Sequence, residues 1–218
     1  MLKRFKESNG IYIADIAGQV RLAYSLSSNI DFYDLQNWPE QESCPGMILR
    51  FFDLHDGNVY QPFESQEGVI YGEPLYAQGC YWFLQAIRPS RKIVLYRYQL
   101  SGIPEAITGF SMDAVDTYNF SLMGDKLHVT SQNHDTFVCY YPERFAFSLG
   151  VHETAVFIDD DKVYLENWIE EGWDSENDRP GEDYRFYDEV IVRNFQGDLL
   201  SRETGTLYQS RDGSWWIG

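Results

Sequence analysis

Apolar and polar residues alternate in short runs along most of this chain. Ile11–Gly18 (IYIADIAG), Leu95–Gly102 (LYRYQLSG) and Val190–Gly197 (VIVRNFQG) share one phrase. Each is a strand-length run closing on a polar residue (Asp15, Gln99 or Asn194), an apolar one, a spacer and glycine. A period of two ending in a glycine-bearing turn predicts a β-hairpin. Ile48–Gly57 (ILRFFDLHDG) fits with one more turn residue, and Phe137–Phe145 (FVCYYPERF) is a weaker copy with Pro142 in place of the glycine. A second hairpin type alternates with the first: Leu75–Leu84, Phe120–Val129, Val156–Leu165 and Leu207–Ile217 each read strand, polar turn, strand. Gly124-Asp125 and Asp212-Gly213 suit tight turns because glycine reaches positive φ without strain.

Helical periodicity is nearly absent; residues 26–46 read as a loop with one turn of helix. One hairpin of each type makes a four-stranded antiparallel sheet, and the turns recur roughly every 40 to 50 residues. In this the chain resembles the β-propeller class as a whole. The resemblance covers nearly all of it, as a single domain of residues 1–218. The Gly-His and Trp-Asp signatures, the kelch glycines and the calcium-binding blade motifs are missing, so no family's functional residues carry over. The resemblance implies five blades of about 44 residues, closed by pairing the N- and C-terminal hairpins so that no sheet edge stays open. The alternative is four blades plus an extra hairpin, with Asn9-Gly10 as a turn of the second type.

The 218 residues suffice for a sizeable core. Aromatic residues make up 17% of them, which favours half-buried strands. A net charge of −17 argues against nucleic acid and against anionic membranes. It leaves a basic protein, a metal cation or an uncharged ligand such as a glycan as partner. Cys44, Cys80 and Cys139 are too few and scattered for a disulfide framework, and the N-terminal residues lack an export signal. Both observations point to the cytoplasm.

Two departures from the repeat are the candidate binding sites. Glu170–Asp183 (EEGWDSENDRPGED) reads as an exposed acidic loop carrying Glu170, Glu171, Asp174, Glu176 and Asp178 around Trp173. Its spacing lacks the glycine and distal glutamate of a calcium loop, so no metal is assigned. Trp38, beside Asn37, Glu40 and Gln41, lies in the other loop. Exposed aromatics next to carboxylates or amides make platforms for sugar rings or partner side chains. Asp159, Asp160 and Asp161 read as turn chemistry.

No catalytic residue and no cofactor is assigned. Asp15, Asp53 and Glu166 could in principle converge as glycosidase carboxylates. Asp15 and Asp53, however, occupy turn positions where Gln99 and Asn194 also stand. A turn at Asn133-His134 would set His128 opposite Cys139, more in keeping with a buried thiol and imidazole than with a nucleophile–base pair. The sequence therefore favours a non-enzymatic module recruiting a protein or peptide through an acidic rim. Glycan binding or hydrolysis in a central channel, with Trp38 or Trp173 as platform, is the alternative.

Overall fold

The computed structural model describes residues 2–7, 10–39, 41–100 and 102–218. It is all-β, and every strand pairing is antiparallel. The first sheet runs in the order β1 (Ala14–Asp15), β2 (Leu22–Leu26), β3 (Leu49–Asp53) and β4 (Val59–Tyr60), with helix α1 (Phe32–Gln36) between β2 and β3. In the second, β5 (Val69–Tyr71) and β6 (Leu75–Ala77) pair in series with β7 (Cys80–Ile87), followed by β8 (Lys92–Tyr98) and β9 (Glu105–Ser111). The third contains β10 (Ser121–Met123), β11 (His128–Gln132), β12 (Thr136–Tyr141) and β13 (Phe145–Ser148). The fourth contains β14 (Glu153–Asp159), β15 (Lys162–Asp174), β16 (Arg179–Asn194) and β17 (Leu199–Thr204). A hairpin of β18 (Leu207–Gln209) and β19 (Trp215–Ile217) follows.

Turn chemistry places these strands. Asn194 accepts from the Gln196 and Asp198 N–H groups, and Gly197 takes φ +84° to close the turn. Asp53 does the same work in the first sheet by accepting from the His55 N–H. Asp31 caps α1 by accepting from the Asp34 N–H.

The N-terminal phrase behaves differently from its look-alikes. Residues 11–13 lie outside the strands, and β1 pairs with β2 as the first hairpin of the first sheet. Gln19 sets that turn: its Oε1 accepts from the Arg21 and Leu22 N–H groups, and its Nε2 donates to the Ile16 carbonyl. The expected ladder between the terminal hairpins does not form, because β1 already pairs with β2 and, among the described residues, β19 pairs with β18 alone. The two hairpins meet instead through the Gly18 N–H donating to the Arg211 carbonyl and an Arg211–Asp15 ion pair. The strand count is four larger sheets and one extra hairpin. Asn9, half of the alternative turn, lies outside the described residues.

The core is divided in two. One apolar cluster joins the first three sheets through Phe51, Phe83 and Val129, with α1 adding Phe32 and Leu35. A smaller one joins the third and fourth through Phe137, Ile158 and Leu165. Each such side chain contributes roughly 1.5–3 kcal/mol by leaving water. The terminal hairpin is attached by stacking: the Trp215 and Phe157 rings lie 4.4 Å apart and nearly parallel. The Glu166 carboxylate also accepts from the Leu207 N–H. Among the described residues no helix is long and apolar enough to cross a membrane.

Candidate functional site

The segment expected to be an acidic loop is a ladder. β15 and β16 stay paired past the end of their neighbours, from Trp168↔Asp188 to Glu171↔Arg185, then after a bulge from Trp173↔Pro180 to Asp174↔Arg179. β14 leaves β15 at Asn167 and β17 leaves β16 at Glu189, so the rest is a two-stranded arm standing clear of its sheet. The bulge sets residues 181–184 of β16 against Gly172 alone, which takes φ +75° and where a Cβ would lie 2.6 Å from the Asp183 carbonyl oxygen. Asp174 closes the tip by accepting from the Glu176 and Asn177 N–H groups. Bonds from the Asn177 side-chain amide and from those N–H groups hold its pKa below the ordinary value.

Residues directly opposite in an antiparallel pair share a face. One face of the arm therefore carries Trp168, Glu170, Phe186 and Asp188. Tyr184 extends the row, 6.4 Å from Phe186 and 5.8 Å from Trp173 between ring centroids. Phe186 is 65% exposed and Trp173 43%. Glu170 accepts from the Tyr184 hydroxyl at 2.7 Å, and this bond, ahead of burial, raises the tyrosine pKa. On the other face Glu171 pairs with Arg185 and accepts from the Tyr187 hydroxyl. Glu176 and Asp178 are exposed at the tip.

Trp38 has a different setting. Its ring is half-buried against the larger core cluster, and its carbonyl accepts from Arg88 at 3.2 Å. Its neighbour Glu40 lies outside the described residues. Turns alternate between the two ends of an antiparallel sheet, so the β2–β3 connection carrying Trp38 and the β15–β16 arm lie at corresponding ends of their sheets.

A cavity of about 980 Å³ is lined from all four larger sheets and the terminal hairpin: Asp15 from β1, Leu75 from β6, Ser121 from β10, Ala155 from β14 and Gln209 from β18. Gln132 fixes two of its walls together, donating to the Ala155 carbonyl and accepting from the Ala155 N–H. Tyr24 faces Glu73 in the wall; burial first, and then that carboxylate, push its pKa well up, so its hydroxyl stays a donor. Asn119, Gln132 and Thr154 also line a neighbouring groove of about 350 Å³ with Tyr118, His134, His152 and Trp168. His152 meets the Trp168 ring edge-on at 5.5 Å. The groove thus leads from the cavity to the aromatic face of the arm.

The three carboxylates considered for glycosidase chemistry have separate partners. Asp53 is fully buried against Arg21, Asp15 faces Arg211, and Glu166 holds β18 in place. His128 stands opposite Met123 and Cys139 opposite Thr130, not each other. The β11–β12 turn is wider than expected because the Asn133 side chain accepts from both the Asp135 and Thr136 N–H groups, which moves the register by two. Burial raises the Cys139 thiol pKa to about 12, which keeps it protonated, and lowers that of His128, which keeps the imidazole neutral. Among the described residues no group of three or more His, Cys, Asp or Glu could hold a metal ion.

No protein-family model matches this chain, and neither the curated proteins nor the solved structures yield a match.

Proposed function

We propose that the chain is a propeller-like ring of five units, with the β18–β19 hairpin belonging to the fifth, serving as a non-enzymatic binding module. It receives an extended, basic peptide segment of a partner protein along the groove and arm. Closure of the ring is supported by strands of all five units lining one cavity, and by the fifth unit touching both the fourth and the first sheets. The single observation that carries the binding role is the arm's row of exposed aromatic rings interleaved with carboxylates. Apolar partner residues stack on Trp168, Phe186 and Trp173, while lysines and arginines meet Glu170 and Asp188. Three buried free thiols suit a reducing compartment, in keeping with the cytoplasm.

The test replaces residues 168–188 with an Asn-Gly turn, leaving Asn167 opposite Glu189. Binding of a peptide alternating arginine with leucine and tyrosine is then followed by calorimetry at low salt. The expected result is a loss of about tenfold or more with an unchanged unfolding midpoint. Undiminished binding would discard the arm as the site.

A second reading rests on the cavity, whose amide and hydroxyl lining (Asn29, Thr117, Asn119, Gln132) suits an uncharged glycan. A glycan array with a reducing-sugar assay tests it, and silence on both removes it.

A further inference from the structure

The lining of the large cavity is sorted by chemistry. Rings form its buried wall: Tyr24 from β2, Phe32 from α1, Tyr71 from β5 and Phe120 just before β10. Phe32 and Phe120 meet edge-to-face there, 6.0 Å apart. The charged residues of the lining are Asp15, Asp31 and Glu73, all exposed to water, and among the described residues no lysine, arginine or histidine borders the cavity.

Packing gathers two of these carboxylates. Gly72 lets the β5–β6 connection lie against α1, where a Cβ would come within 3.1 Å of the Phe32 ring. Asp31 precedes Phe32 and Glu73 follows Gly72, so this contact draws both acids to one side of the cavity. Asp31 accepts from the Asp34 N–H, and Glu73 faces Tyr24. Neither has an ion-pair partner among the described residues. Asp15 has Arg211, but that guanidinium is almost wholly exposed, and pairs of this kind hold weakly.

A cleft lined by one sign of charge over low-dielectric walls concentrates ions of the opposite sign. Aromatic faces attract cations as well. We propose that the cavity binds a small organic cation, a free amine whose ammonium meets Asp31 and Glu73 while its apolar body lies on the Phe32 and Phe120 rings. The volume of about 980 Å³ accommodates such a molecule. A bare metal ion would leave the rings without a role, and charge is what separates this ligand from an uncharged glycan. The site does not draw on the arm and is additional to peptide binding.

The probe is 2-phenylethylamine, compared by calorimetry at low salt with its neutral isostere 2-phenylethanol, each added to the intact chain. The expected result is saturable binding of the amine and binding of the alcohol weaker by about tenfold or more. Glu73→Gln keeps the shape of the side chain and removes its charge, and should weaken the amine about tenfold at an unchanged melting temperature. Replacing residues 168–188 with the Asn-Gly turn should leave the amine's affinity intact, so that loss of the peptide site and loss of this one are told apart. Three results would overturn the proposal: no saturable binding of the amine below about 10 mM, an alcohol bound as tightly as the amine, or wild-type amine affinity in Glu73→Gln. Should the variant fail to fold, the comparison of amine with alcohol on the unmodified chain decides alone.

Discussion

The second and fourth sheets share a strand order and differ in what their central strands face. In β7 seven of eight residues are buried. In the thirteen-residue β15 the buried ones are Val163 and Leu165, both near its start. Phe83, at the middle of β7, is fully buried among the rings of Phe51, Phe63, Tyr71, Tyr96 and Tyr98. Phe186, at the middle of the arm, touches Tyr184 and water. One strand order thus supports two uses, cohesion where both faces are covered and recognition where a strand pair outruns its neighbours. A residue's place along the ladder, more than its type, decides which use it serves.

The largest expected effect lies on the cohesive side. Phe83→Ala should cost about 3–5 kcal/mol in urea unfolding, the range for emptying a large aromatic site in a packed core. A cost under about 1 kcal/mol would mean that the ring cluster collapses to refill the space, and the contrast between the sheets would weaken.

Asp53 gives the next largest effect. Burial alone would raise its pKa, but bonds from the His55 N–H and the Arg21 guanidinium outweigh that and hold it below the ordinary carboxylate value. A depressed folded pKa means that the stabilisation is present above the unfolded value of about 3.9 and is lost as pH falls through the folded one. Asp53→Asn should therefore cost about 1.5–3 kcal/mol at pH 7. On acidification below about pH 4 the wild type should lose stability towards the variant, closing the gap. A gap that stays constant down to pH 2 would remove the carboxylate as its origin.

The arm provides a smaller and more local test. Gly172→Val forces a β-branched residue into positive φ with its Cβ against the Asp183 carbonyl, at a cost of about 1–3 kcal/mol. Nothing below the arm depends on that bulge. Amide exchange should accelerate within residues 168–188 while the global midpoint stays put. A matching drop in the global midpoint would show the arm to be part of the cooperative unit.

Hairpins were legible in the sequence because their signals are local. Gly197 with Asn194, and Gly213 with Asp212, carry their turns in a few residues, and the structure places strands on either side of each. The arm was not legible, since its strands face water and keep none of the apolar alternation that marks a buried face. Pro180 and Gly181 read as loop, yet they sit where β16 no longer has an outer neighbour and proline costs no ladder bond. The phrase at Ile11–Gly18 misled for a different reason. A strand closing on polar–apolar–spacer–glycine serves either hairpin type, and the contacts of Gln19 that settle the choice depend on folding. The cavity was invisible in sequence because each of β1, β6, β10, β14 and β18 contributes one to three residues to a wall that exists only when five distant segments meet.

The smallest expected change in stability is also the sharpest test of the comparison. Phe186→Ala removes a ring of the same kind as Phe83, from the same type of antiparallel ladder. Because 65% of Phe186 is already in water, the loss on truncation should stay within about 0.5 kcal/mol. The same variant should weaken the arginine-rich peptide about tenfold, since an exposed ring is a contact for a partner and not for the fold. Phe186→Tyr, which keeps the ring, should restore that affinity. Should Phe186→Ala instead cost more than about 2 kcal/mol of stability while the folded variant binds the peptide as the wild type does, the arm would be an outlying piece of core, and recognition would have to be sought at the cavity mouth around Asn119 and Gln132.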